Sequence, residues 1–99
     1  MYQFNISIFI EPSIQTDFES KFKRNIMAYL KQNVMDTTMN LFQIDSHIEP
    51  DSIGYSLQII LKSINENLKE QLINELVIKM DEDFKNKYLH FNSVLRTIE

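Results

Sequence analysis

His90 is the side chain in this sequence best suited to moving protons, because an imidazole with an unperturbed pKa of ~6.5 changes charge near neutral pH. A general acid or base also needs an orienting group within hydrogen-bond reach. On an extended strand the same-face neighbours of His90 are Tyr88 and Asn92, so local spacing places no carboxylate beside it. A polar strand position is the simpler reading. Asp45, His47, Glu49 and Asp51 alternate through one polar stretch and carry oxygen and nitrogen donors. A calcium loop counted from Asp45 needs glycine sixth and glutamate twelfth, where Pro50 and Ser56 stand, so the stretch reads as a turn and no metal is expected. No serine is bracketed by glycines as a nucleophile elbow requires. The absence of cysteine removes thiolate nucleophiles, disulfides, thiolate metal sites and iron–sulfur clusters together. No catalytic set and no cofactor are expected.

The elements that must position these groups follow from apolar spacing. Tyr2, Phe4, Ile6, Ile8 and Ile10 alternate with Gln3, Asn5 and Ser7, the two-residue period of a strand with one buried face. Pro12-Ser13 ends that strand, and Ser13 supplies an N-cap oxygen for a helix with Asp17 in its first turn. Along the helix, Ile14, Phe18, Phe22, Ile26, Tyr29 and Leu30 advance by three and four and form one stripe. Between Thr37 and His47 the alternation changes phase, Met39 and Leu41 against Phe42 and Ile44, which predicts a bulge or short turn near Leu41.

Asp45 to Ser52 reads as a hairpin connection containing Pro50. Ile53, Tyr55, Leu57, Ile59 and Leu61 then alternate with Gly54, Ser56 and Gln58 as a third strand. Asn65 is a cap for a second helix, in which Ile64, Leu68, Leu72, Leu76, Met80 and Phe84 recur every four residues and Ile73 and Val77 widen the stripe. Asp81, Glu82 and Asp83 oppose the dipole at the end of that helix, with Lys79, Lys85 and Lys87 as pairing partners. The last run, Tyr88 to Ile98, alternates Leu89, Phe91 and Leu95 against His90, Asn92 and Arg96, and predicts a strand whose leucines and phenylalanine face the core.

Two β-α-β halves with right-handed crossovers place both helices on one side of one sheet. The expected fold is a single α+β domain over residues 1-99, a ferredoxin-like β-α-β-β-α-β sandwich. Its four-stranded antiparallel sheet has the order 4-1-3-2, with two helices on one face. Three stretches resemble the bacterial domain of unknown function 4286 family. They are Ile10-Glu11-Pro12-Ser13-Ile14 with Phe18 and Phe22, Tyr55 to Ser63, and Asp83 to Phe91. The resemblance spans essentially the whole chain and implies this fold, and with no established activity in the family it implies no chemistry. The family often has glycine where this chain has Lys85, and Asn86 is then the residue to take a left-handed backbone.

Ninety-nine residues bury about 60–65% of the surface of the unfolded chain, so the core is thin and a second copy would help it. Ten basic against fourteen acidic side chains give a net charge of −4, a poor footprint for a phosphate backbone. RNA-recognition modules share the layout and stack bases on open-face aromatics. This sequence offers Phe9 without an aromatic pair on the central strands or a basic surround, so no nucleic acid partner is expected. The first residues alternate in polarity, and no apolar run approaches ~18 residues, so neither a secretion signal nor a membrane partner is expected and a cytoplasmic setting is the default.

The side of the sheet away from the helices is the surface of interest. The expected set is Asn5, Ser7 and Phe9 from the first strand, Ser56, Gln58 and Ile60 from the third, and His90, Asn92 and Arg96 from the last. Such a face can be solvated, can pair with a second copy or another protein, or can hold a small molecule. A homodimerising interaction or metabolite-binding module is the leading expectation. The runner-up is a small cofactor-free enzyme of the dimeric α+β barrel kind, with His90, Asn92, Gln58 and Arg96 around an open-face pocket.

Overall fold

The structure, a computed structural model, describes residues 1–45, 51–63 and 65–98. His47, Glu49 and Pro50 of the expected hairpin connection and Ile64 of the expected helix stripe lie outside the described residues. β1 (Tyr2–Ile10) is the strand read from alternation, with Phe4, Ile6, Ile8 and Ile10 fully buried. Beyond it the chain is helical through Asn33 but changes its winding. A 3-10 turn (Pro12–Ile14) leads into α1 (Gln15–Lys21), a π-helical segment (Phe22–Met27) and α2 (Ala28–Asn33).

The change of winding suits the apolar spacing. Ile14, Phe18, Phe22, Ile26 and Leu30 recur every four residues, and each such step overshoots an α-helical turn by about 40°. The wider π turn takes up that overshoot, and all five residues stay buried against the sheet. In α3 (Glu66–Phe84) the same four-residue spacing runs in α winding throughout: Leu72, Leu76, Met80 and Phe84 stay buried, and Leu68 and Ile73 are partly buried beside them. Phe18 is the hub of the core. Its ring lies 5.0 Å from Phe22, 4.8 Å from Tyr55 and 5.9 Å from Phe84, joining the first helical arm, the sheet and α3.

β2 (Met39–Gln43), β3 (Ile53–Leu61) and β4 (Tyr88–Arg96) complete a four-stranded antiparallel sheet in the order β2-β3-β1-β4, the order the sequence predicts. Pairing of β2 with β3 runs unbroken from Met39 opposite Ile59 to Gln43 opposite Tyr55, so the bulge expected near Leu41 is not formed. The phase change there means instead that both faces of β2 carry apolar residues, Met39 buried under the helices and Phe42 exposed on the other side.

The caps divide. Asn65 accepts hydrogen bonds from the backbone N–H groups of Asn67 (2.8 Å) and Leu68 (3.3 Å), as its position predicts. Ser13 does not cap the first helix: it lies inside the 3-10 turn, and its Oγ donates to Oε2 of Glu11 at 3.4 Å. Pro12 at the first turn removes one of the N–H groups that a cap would serve.

Two tyrosines fasten the sheet to the helices, and a third joins the helices to each other. Tyr55 of β3 donates its hydroxyl to Glu19 of α1, Tyr88 of β4 to Asp81 of α3 at 2.8 Å, and Tyr29 of α2 to Glu75 of α3 at 2.8 Å. Burial, followed by the bond to Glu19, pushes the Tyr55 hydroxyl up to about 12, with Gln15 acting slightly the other way. Tyr88 is raised further, by burial first and then by its bond to Asp81. The Glu75 bond raises Tyr29. Asp81 is thereby accounted for, and Glu82 pairs with Lys79 at 3.1 Å.

Between α3 and β4 the backbone makes a type II turn. Lys85 has φ −53° and ψ 132°, Asn86 has φ 65°, and the Lys87 N–H returns to the Phe84 carbonyl at 3.0 Å. Asn86 holds the left-handed position at modest cost because asparagine tolerates it better than most side chains.

Candidate functional site

The open face of the sheet is built by register. Directly opposed residues of antiparallel strands project to the same side, so each ladder assigns faces without ambiguity. Gln3, Asn5, Ser7 and Phe9 of β1 stand opposite Ile60, Gln58, Ser56 and Gly54 of β3. On the other flank they stand opposite Leu95, Ser93, Phe91 and Leu89 of β4. Asn40 and Phe42 of β2 extend the face beyond Gln58 and Ser56.

Of the nine residues expected here, Asn5, Ser7, Phe9, Ser56, Gln58 and Ile60 are on this face. His90, Asn92 and Arg96 are not. They stand opposite Ile8, Ile6 and Tyr2, and so point to the helix side together with Tyr88 and Val94. The alternation of β4 reads as strand in either phase because both phases carry apolar residues. The phase is chosen at the junction, where the turn at Asn86 and the Tyr88 hydroxyl bound to Asp81 hold Tyr88 inward, and a shift of one residue turns every following side chain over. Leu89, Phe91 and Leu95, expected in the core, are therefore exposed by 65%, 60% and 53%.

The inverted phase of β4 changes the chemistry of the face. Its centre is a short polar ladder in which Ser56 donates to Oδ1 of Asn5 at 2.5 Å and Gln58 Nε2 donates to Ser56 Oγ at 3.4 Å. Its β4 flank is apolar apart from Ser93. The rings of Phe9 and Phe91 meet edge to face at 5.9 Å and 67°, between Leu89 at one end and Leu95 toward the other. The Phe9 ring also lies over Gly54, where an added Cβ would come within 2.9 Å of it. Phe42, half exposed, is a further apolar group across the polar ladder.

The polar group expected for proton chemistry does not converge either. Gln58 is on the open face, whereas His90, Asn92 and Arg96 are on the other. The His90 ring stacks on Tyr88 at 6.2 Å, and its Nδ1 is buried without a hydrogen-bond partner among the described residues. At the end of the sheet where β1 finishes and β4 begins, an open cleft of about 430 Å³ has Phe9, Tyr88, Leu89 and Phe91 as apolar walls and Glu11, Asp51 and Lys87 as charged groups. Among the described residues no three His, Asp or Glu side chains come together as metal ligands, and no helix is long and apolar enough to cross a membrane.

No family model and no curated protein sequence matches the chain. The C-terminal domain of the MgtC protein from Mycobacterium tuberculosis, solved in solution, superposes with a TM-score of 0.54 and 13% identity, over 94% of this chain and 88% of that one. CPII from Thiomonas intermedia K12, solved bound to ADP, AMP and acetate, gives 0.48 and 10%, over 99% and 90%. The chain has the ferredoxin-like fold. At these identities the likeness concerns the path of the chain alone, and the site has to be argued from its own residues.

Proposed function

We propose that this protein is an interaction module that works as a homodimer, joined through the β4 side of its sheet. The observation that carries this reading is the exposure of Leu89, Phe91 and Leu95 along one face of one edge strand, contiguous with Phe9. Scattered surface leucines need no explanation, but several large apolar side chains along one exposed edge strand mark a border at which another molecule packs. Cross-strand packing of such side chains against a second copy recovers part of the about 1.5–3 kcal/mol that complete burial of each is worth, before the cost of association is met. The thin core of a chain this short gives the same direction, since pairing adds buried surface that the monomer lacks.

A sedimentation and native-mass measurement over a range of concentrations tests the reading. The expected species is a dimer, and Phe91→Asp is expected to yield a monomer with unchanged far-ultraviolet circular dichroism. A wild-type monomer at every concentration would overturn it. The cleft beside Phe9 and Phe91 supports a second reading, a module that holds a small metabolite. It predicts a reproducible added mass in the native spectrum that is lost when Leu89→Trp fills the cleft.

A further inference from the structure

The direction of the backbone groups on β4 identifies how two copies would meet. At one end of the strand the Glu11 N–H donates to the Lys87 carbonyl at 3.0 Å, and at the other the Thr97 N–H donates to the Met1 carbonyl at 3.1 Å. Lys87 and Thr97 therefore turn their backbone toward the first strand. Alternation in an antiparallel ladder gives the same direction to the odd-numbered residues between them. Tyr88, His90, Asn92, Val94 and Arg96 consequently aim their N–H and C=O groups the opposite way, to a side where no described strand pairs with β4.

We infer that two copies pair along these edges, antiparallel and centred on Asn92, to form one eight-stranded sheet of order β2-β3-β1-β4-β4-β1-β3-β2. The inference rests on the self-association proposed above and adds its geometry. With a two-fold axis perpendicular to the sheet at Asn92, Tyr88 stands opposite Arg96 of the second copy, His90 opposite its Val94, and Asn92 opposite its Asn92. All five outward residues become hydrogen-bonded pairs, each exchanging both of its backbone bonds. A shift of two residues leaves Tyr88 or Arg96 without a strand partner. A shift of one sets outward residues against inward ones and removes the ladder.

The side chains agree with the same register. Leu89 meets Leu95 of the second copy on the open face, and the Tyr88 ring meets the Arg96 guanidinium on the helix side. No like charges are opposed. Sheet edges are ordinarily guarded by shortness, proline, lysine or a bulge. β2 is short, with five residues. β4 has nine, contains no proline, glycine, lysine or carboxylate, and pairs with β1 in unbroken register. One edge is guarded and the other is built to be continued. The open faces of the two copies then form a single surface, with the Phe9, Phe91 and leucine strips side by side at its middle.

Single cysteines test the register cleanly because the chain has none of its own. Opposed α-carbons of a hydrogen-bonded antiparallel pair lie about 5.5 Å apart, within disulfide range. Under copper-phenanthroline and air, Asn92→Cys is expected to cross-link to a dimer, and Gln58→Cys, at the middle of the open face, is expected to stay uncross-linked. Asn92→Pro, which removes one donor from each copy, should weaken the dimer by roughly 30-fold while the monomer remains folded. A dimer by mass in which Asn92→Cys does not link, or in which Gln58→Cys does, would overturn the edge register and leave self-association standing. A monomeric wild type would overturn both.

Discussion

β3 and β4 are both nine residues long, both alternate, and both pair with β1 along its whole length, yet they end in opposite circumstances. Tyr55, Leu57, Ile59 and Leu61 of β3 are buried beneath the helices, whereas none of the nine residues of β4 is buried. The difference lies in what covers each strand. β3 lies between β1 and β2 under the first helical arm, while β4 has one neighbour among the described strands and turns most of its apolar surface away from the helices. Strand pattern and strand burial are therefore separate properties. A strand paired on both edges and covered on one face is part of the core, whereas one paired on a single edge keeps its outer backbone groups open to further pairing unless a device guards them.

The largest effect that should separate the two regions is a core deletion. Phe18→Ala removes the ring that joins Phe22, Tyr55 and Phe84, and should cost about 3–5 kcal/mol by urea unfolding, enough to unfold much of the population at this size. Phe91→Ala, of equal size on β4, should cost less than about 0.5 kcal/mol in the monomer and act instead on association. Equal losses from the two variants would break the comparison. An intermediate effect belongs to Gly54→Val, where β3 meets the open face. Its side chain would collide with the Phe9 ring, and destabilisation of about 1–3 kcal/mol is expected together with altered packing of Phe91.

Smaller effects concern what holds the helices over β3. Asn65→Ala should cost about 1 kcal/mol by leaving the Asn67 and Leu68 N–H groups without their cap, readable as a lower urea midpoint. Tyr55 gives a pH signature. Its hydroxyl pKa is raised from the ordinary 10 to about 12, so the folded state holds the proton where the unfolded chain has lost it. That contribution is complete below pH 10 and is lost as pH rises toward 12. Tyr55→Phe should therefore flatten the alkaline fall in stability relative to the wild type, and an unchanged slope would show that the hydroxyl contributes nothing there.

Much of this architecture is legible in the residues. Alternation along a strand is decisive when a single phase is apolar, as with Phe4, Ile6 and Ile8 against Gln3, Asn5 and Ser7. Where both phases are apolar the period names a strand and leaves its face open. On β4, Tyr88 and Val94 compete with Leu89, Phe91 and Leu95, and a hydroxyl bond to Asp81 on the preceding helix settles the phase. That bond depends on a turn and a helix end meeting in space, which linear spacing does not express. The same holds for β2, where Met39 and Phe42 serve opposite faces without any bulge. Helix winding is a middle case. The four-residue apolar step is present in both helical arms and is buried in both, but only the first is rewound by a π segment, which the spacing alone does not announce.

Continuation of the outer edge of β4 by a second copy is tested most directly by residue-resolved amide exchange. The N–H groups of Leu89, Phe91, Ser93 and Leu95 point toward β1 and should be protected at every protein concentration. Those of Tyr88, His90, Asn92, Val94 and Arg96 should exchange quickly in dilute protein and become protected together as concentration rises. Rapid exchange of these five at all concentrations, with the other four protected, would contradict the pairing and leave β4 a solvent-facing edge.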